Sequence, residues 1–154
     1  MVKEYFRPAS VDEALELLSA PGALALAGGT WAMAFEARDK PERVVDIGKA
    51  VPRAIERRGG QLYLGAGATF QEIVESETVP EAVKDAARSM ANRNTRGRAT
   101  VGGNLGANKS CSSLAPIFLA LNAVAEFKER GKPAATAPLA RSEEHTSELQ
   151  SRIT

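Results

Sequence analysis

Twice in this chain a short apolar run stops at a pair of glycines followed by a small polar side chain. The first is LALAGGTW, residues 24–31, and the second lies in RATVGGNLGANKSCSS, residues 98–113. No other feature restricts the fold as much. A glycine pair leaves the main chain without side-chain cover, admits φ > 0, and lets another group approach the backbone closely. Successive N–H groups in such a turn form a concavity that attracts anions. Thr30, Thr100 and Asn104 add short-range donors. Two such loops facing one another suit a diphosphate, although either one alone reads more simply as a tight turn.

The rest of the chain alternates helix and strand signals. Ser10 with Glu13 makes a capping-box signature, followed by Val11, Leu15 and Leu18 at helical spacing and a stop at Pro21-Gly22. ALALA, residues 23–27, and RVVDI, residues 43–47, read as strands, with a short helix expected over WAMAFEA, residues 31–37. Together they make a β-α-β-like unit. AIERRGGQLYLGAG reads as a hairpin turning at Gly59-Gly60. Thr69 and Glu72 form a second capping box. Pro80 opens a helix whose face of Val83, Ala86, Ala87 and Met90 is small enough to pack closely on a sheet. Ser113 is placed to cap a helix carrying Leu114, Ile117, Phe118 and Leu121, with Pro116 in its first turn, before a strand in AVAEFKER. The order is that of an α+β domain, with a boundary between two lobes near Val51-Pro52.

Bulk properties narrow the function. A chain of 154 residues can bury a real core. Its formal net charge of +1 offers no field for nucleic acid or a membrane surface. No apolar run approaches the ~20 residues of a membrane span, and the N-terminus lacks a secretory h-region. A single cysteine, Cys111, excludes an internal disulfide and a cysteine-held metal or cluster. A cytoplasmic setting is expected. RSEEHTSELQS, residues 141–151, matches residue for residue one reading-frame translation of a common sequencing-library adapter. Residues 141–154 are therefore expected to be non-native read-through, disordered and outside the fold, which removes His145, the one histidine, from consideration.

Other features are weaker. GAGATF, residues 65–70, follows a strand, but its third glycine position is Phe70 and a helix, not an acid-terminated strand, follows. It reads as a strand-to-helix turn with Thr69 as N-cap, not a Rossmann fingerprint. Cys111 beside Ser112 and Ser113 lacks a histidine base and reads as a buried or site-lining thiol. RNTRGR, residues 93–98, reads as a solvated loop or as one that neutralises a phosphate or a partner surface. Trp31 is placed to stack on a ring or to pack in the core.

The two loops in their context resemble the FAD-binding medium subunit of the molybdenum hydroxylases, the xanthine dehydrogenase and carbon monoxide dehydrogenase family. The resemblance covers nearly all of residues 3–140, through YFRPASVDEALELL, LALAGGTW, RVVDI, LYLGAGATFQEIVES and NTRGRATVGGNLGANKSCSSLAPIFLALNA. The paired AGGT and TVGGN motifs in this order are its most specific part. It implies the FAD-binding domain shared with p-cresol methylhydroxylase: an α+β fold of two lobes, residues 1–51 and 52–140, with FAD between them, the second incomplete and a C-terminal domain missing. It implies that Leu24, Ala25, Leu26, Ala27, Gly28, Gly29, Thr30 and Trp31 wrap the diphosphate. Thr100, Val101, Gly102, Gly103 and Asn104 would hold the diphosphate and ribityl portion from the other side. Nine residues after the loop asparagine the family usually has a flavin-holding aspartate; here Ser113 stands there, with no charge and less reach. The Trp31 position, often aspartate or another small or polar residue in relatives, also departs.

In such enzymes the molybdopterin-containing subunit oxidises substrate, and electrons pass through an iron–sulfur subunit to FAD and then to NAD or another acceptor. No catalytic acid or base and no metal ligand is implied in this chain. Two alternatives follow from the same residues: a stand-alone FAD oxidase or reductase, and a flavin-free scaffold subunit, which Ser113 keeps open.

Overall fold

A computed structural model describes residues 2–32 and 41–140. The chain forms two compact units, one of residues 2–26, 41–50 and 118–140, the other of residues 27–32 and 51–117. The chain crosses between the units near Val51. The simple split at that point needs amendment, because the first glycine loop belongs with the second unit and the C-terminal residues with the first.

The first unit is built on three parallel strands in the order β1-β3-β2: β1 Glu4–Phe6, β2 Ala23–Leu26 and β3 Arg43–Asp46. Parallel neighbours require crossovers. Helix α1, Val11–Leu18, supplies the one from β1 to β2, and Gly22, at φ +71, turns the chain into β2. β3 is central, so both Val44 and Val45 are buried although they point to opposite faces. α1 packs on β2 and β3 and buries Ala14. Its N-terminus keeps half of the expected capping box. Ser10 Oγ accepts from Glu13 N–H at 3.2 Å, but Glu13 Oε2 accepts from Ala9 N–H at 2.8 Å, one residue early. Most of WAMAFEA, residues 33–37, lies outside the described residues.

The unit is completed by an antiparallel pair, β6 Val124–Phe127 and β7 Ala135–Pro138, linked by ion pairs to α1 through Lys128–Asp12 and Arg130–Glu16. Helix α6, Ala115–Ala120, precedes β6. It stops one residue before Leu121, which is exposed rather than part of a helical face, and Asn122 takes φ +50.

The second unit begins with the hairpin β4 Ile55–Arg58 and β5 Gln61–Leu64. Gly59 and Gly60, at φ +55 and +83, form the left-handed two-residue turn that suits strand twist. Helices α2 Phe70–Glu75, α3 Glu81–Arg88, α4 Arg93–Arg96 and α5 Val101–Gly106 follow. The core comprises Phe70, Ile73, Val83, Ala87 and Leu114, all fully buried. The full capping box at Thr69 and Glu72 is present. Pro80 sits at the N-cap of α3, one position before the helix proper. The small face of α3 packs on α2, not on a sheet. Among the described residues this unit has one two-stranded, half-exposed hairpin, and α2 supplies the apolar surface through Phe70 and Ile73.

Candidate functional site

The glycines of this unit are explained largely by backbone lying on backbone. Gly65 N–H donates to Ala54 O and Gly67 N–H to Pro52 O, each at 2.8 Å. A Cβ on Gly65 would sit 2.4 Å from Pro52 O. The 65–70 turn in turn receives the segment around Thr100. Phe70 N–H donates to Ala99 O at 3.0 Å, Val101 N–H to Ala68 O at 2.9 Å, and Gly102 N–H to Ala66 O at 2.8 Å. A Cβ on Gly102 would lie 2.9 Å from Ala66 Cβ. Finally the first loop is laid on the second: a Cβ on Gly28 would fall 1.6 Å from Arg98 O. Arg98 Nε also donates to Gly28 O at 3.2 Å.

This corrects the reading of two equivalent bare-backbone loops. The second glycine pair does not end a strand. Thr100 is an N-cap, its Oγ1 accepting from Gly103 N–H at 3.1 Å, and Gly102 and Gly103 form the first turn of α5. Asn104 N–H closes on Thr100 O at 2.9 Å. The N–H groups of Val101, Gly102, Gly103 and Asn104 are thus all consumed within the protein. What this segment can offer a ligand is side chain, chiefly Asn104.

The first loop is different. Leu24, Ala25 and Leu26 lie in β2 and pair with β3, Leu26 O accepting from Ile47 N–H at 2.9 Å. The chain then bends at Ala27 and Gly28, and Gly29 takes φ +70, a conformation side chains disfavour. The N–H groups of Gly28, Gly29 and Thr30 make no hydrogen bond to a described residue. A run of unbonded N–H groups at a left-handed turn is an anion-binding donor set. Trp31 is 47% exposed, which excludes core packing, and Lys109 Nζ lies 4.8 Å from its ring centroid.

Residues near the second loop also differ from expectation. RNTRGR is not a free loop: residues 93–96 form α4, capped by Asn92 Oδ1 on Thr95 N–H. Arg93 pairs with Glu75, and Arg96 donates to Gln71 Oε1 and to the Arg88 and Met90 carbonyls. These arginines hold the fold together. Cys111 is exposed rather than buried. Ser113 makes no hydrogen bond to a described residue and does not cap α6. Ser112 does so instead, accepting from Ala115 N–H and donating to Asn104 Oδ1. Lys109 and Ser112 are the neighbours that sequence reasoning missed, and Arg98, the last residue of RNTRGR, spends its Nε donor on Gly28 O. The serine run before Pro116 carried the signal for Ser112, but was read one residue late. Among the described residues no group of three or more His, Cys, Asp or Glu side chains can hold a metal. No helix there is long and apolar enough to cross a membrane.

Known proteins share this architecture. A chain of carbon monoxide dehydrogenase from Hydrogenophaga pseudoflava, in a form lacking the Mo-pyranopterin moiety of the molybdenum cofactor, superposes with a TM-score of 0.80 at 27% identity over 91% of this chain and 51% of that one. Quinoline 2-oxidoreductase from Pseudomonas putida 86 superposes with a TM-score of 0.81 at 23% identity, over 90% and 51%. The uncharacterized protein YgfM of Escherichia coli K12 is 30% identical over 129 residues, 82% of this chain and 50% of its own. The chain thus spans about half the length of the relatives it matches. Fold and loops define an α+β domain of the FAD-binding class. Residues 1–147 match the family model for the FAD binding domain in molybdopterin dehydrogenase, and the chain belongs to that family. Its cofactor is FAD. The unbonded N–H run at Gly28–Thr30 is a donor set that fits the diphosphate of such a cofactor.

Proposed function

We propose that this chain is the FAD-binding, electron-transferring subunit of a multi-subunit molybdenum hydroxylase. Its partners in this reading are an iron–sulfur subunit and a molybdopterin-containing subunit, with NAD or another acceptor taking the electrons, in the cytoplasm. FAD supplies the electron-carrying chemistry when bound. The chain's own residues bind and orient it. Gly28, Gly29 and Thr30 donate main-chain N–H groups to the diphosphate, and the Thr30 hydroxyl adds a donor. Trp31, with Lys109 over its ring, walls one side of that loop. Asn104 presents its side chain from α5, while Thr100, through its hydroxyl cap, and Val101, Gly102 and Gly103, through their bonded amides, hold α5 in place. Ser113 is retained as a contact of modest strength.

The observation that carries this reading is the contrast between the loops. The amides of Val101, Gly102, Gly103 and Asn104 all have partners within the fold, whereas those of Gly28, Gly29 and Thr30 have none among the described residues. The test is to purify the tagged full-length chain from its own host and examine what accompanies it. Bound FAD, released on denaturation, together with co-eluting molybdenum- and iron–sulfur-containing polypeptides is expected. Flavin with no companion polypeptides would replace the proposal with a stand-alone flavoenzyme. A folded complex without flavin would make the chain a scaffold subunit.

A further inference from the structure

Ser112 fixes the orientation of the Asn104 carboxamide, and the direction follows from counting protons. Ser112 Oγ accepts from Ala115 N–H at 3.1 Å, at the start of α6, and donates to Asn104 Oδ1 at 2.6 Å, on α5. A serine hydroxyl has one proton and two lone pairs. With the carboxamide this way round, the hydroxyl is used once in each sense. Reversed, it would accept twice, and its own proton would have no acceptor among the described residues. The oxygen of Asn104 is therefore turned to Ser112. Its NH2 group makes no hydrogen bond to any described residue, on a side chain that is only half-buried.

We propose that Ser112 is a positioning residue for FAD, which turns Asn104 so that α5 offers the cofactor an amide donor, not a carbonyl. This rests on the reading of Asn104 as a FAD contact. It deepens that reading, because α5 has no free main-chain donor in its first turn, so Asn104 is its one means of donating there. The FAD groups suited to such a donor are acceptors: phosphate oxygens and ribityl hydroxyls. Without the Ser112 hydroxyl, the carboxamide is free to rotate and presents either end.

The test uses the full-length chain in its native complex. Deflavinated protein is titrated with FAD, the visible circular dichroism of the bound flavin is recorded, and Tm is measured alongside. Ser112→Ala is expected to weaken FAD binding by roughly three- to tenfold, the range of one hydrogen bond, and to change the flavin dichroism. Ser112→Thr, which keeps the hydroxyl, is expected to restore both. Should Ser112→Ala not fold, Ser112→Cys, with a weaker donor of similar size, is expected to give a smaller loss in the same direction. In an Asn104→Ala background, Ser112→Ala is expected to cost no further affinity. If Asn104→Ala weakens FAD binding but Ser112→Ala changes neither affinity nor dichroism, the positioning role is wrong and the Asn104 contact stands. If Ser112→Ala costs the same affinity with or without Asn104, the serine acts only through the fold. If Asn104→Ala has no effect, the reading beneath the proposal fails.

Discussion

The carbonyl oxygen of Arg98 occupies the place where a side chain on Gly28 would begin, 1.6 Å from an ideal Cβ. The first glycine of AGGT is therefore required by the protein itself, before any ligand arrives. Gly28→Ala is expected to push residues 27–30 off Arg98 by roughly 2 Å, since atoms in contact prefer ~3.5 Å or more. The cost to stability should be about 1–3 kcal/mol. FAD affinity should fall about tenfold or more, as the donor loop moves. Thermal melts and FAD titration of the full-length protein check both, and an unchanged Tm would mean that the contact is not made.

A second glycine is expected to behave in the opposite way. Nothing lies within 4 Å of a Cβ on Gly106, at the end of α5, and its φ is not left-handed. Gly106→Ala should stabilise the fold by about 0.4–1 kcal/mol through the unfolded chain's lost freedom. Gly29→Ala, at φ +70, should destabilise it by about 1–2 kcal/mol. Denaturant unfolding of the two variants side by side gives the sign of each.

What could be read from the sequence was mostly local. Ser10, Thr69 and the Gly59-Gly60 turn announce themselves because a cap or a two-residue turn is satisfied within four residues. Strand β1 was missed because EYF has no alternation of its own; it is a strand because β3 runs beside it. Strand β7 ends in Pro138 and exists only as the partner of β6. The second glycine motif was misjudged for the same reason. Nothing in TVGGN says that Ala66 and Ala68 will take its amides, and glycine's low helix propensity hides the turn that Thr100 caps. The family resemblance came from motif order, and the fold supports it. The division of labour between the two loops lies in hydrogen bonds to residues distant in sequence, which no local pattern encodes.

The turn that receives the second motif has its own pH dependence. Glu72 accepts from Thr69 N–H at 2.7 Å and Thr69 Oγ1 at 2.9 Å, and pairs with Arg53 at 2.7 Å. Burial alone would raise its pKa, but the Thr69 main chain, Arg53 and the Thr69 hydroxyl together hold it below the ordinary glutamate value. A lowered folded pKa stabilises above the unfolded value, and the contribution disappears as pH falls through the folded one. Glu72→Gln is expected to flatten the acid limb of the stability curve below pH ~4.5. Thr69→Ala should cost about 1 kcal/mol at neutral pH through the lost cap. Urea unfolding at several pH values checks the two, and an acid limb identical in Glu72→Gln and the parent would assign the dependence elsewhere.

In the first unit the corresponding group is Asp46, at the end of the central strand. Its carboxylate accepts from Tyr5 Oη at 2.5 Å and Gly48 N–H at 2.9 Å, with Arg7 Nε at 3.5 Å. Burial opposes ionisation, yet the Tyr5 hydroxyl, the Gly48 amide and the charges of Arg7 and Lys49 keep the pKa below the ordinary aspartate value. The same bond raises the Tyr5 phenol. Tyr5→Phe removes the strongest of the lowering influences, so the Asp46 pKa should rise back toward the ordinary aspartate value, with burial now less opposed. Stability supplied by ionised Asp46 is present above the unfolded value and lost as pH drops through the folded one. The variant should therefore begin to lose it at a higher pH than the parent. Carboxyl-carbon NMR titration of Asp46 in the two proteins measures the shift directly. A titration curve that does not move would show that the phenol leaves the carboxylate's charge to Gly48 and Arg7.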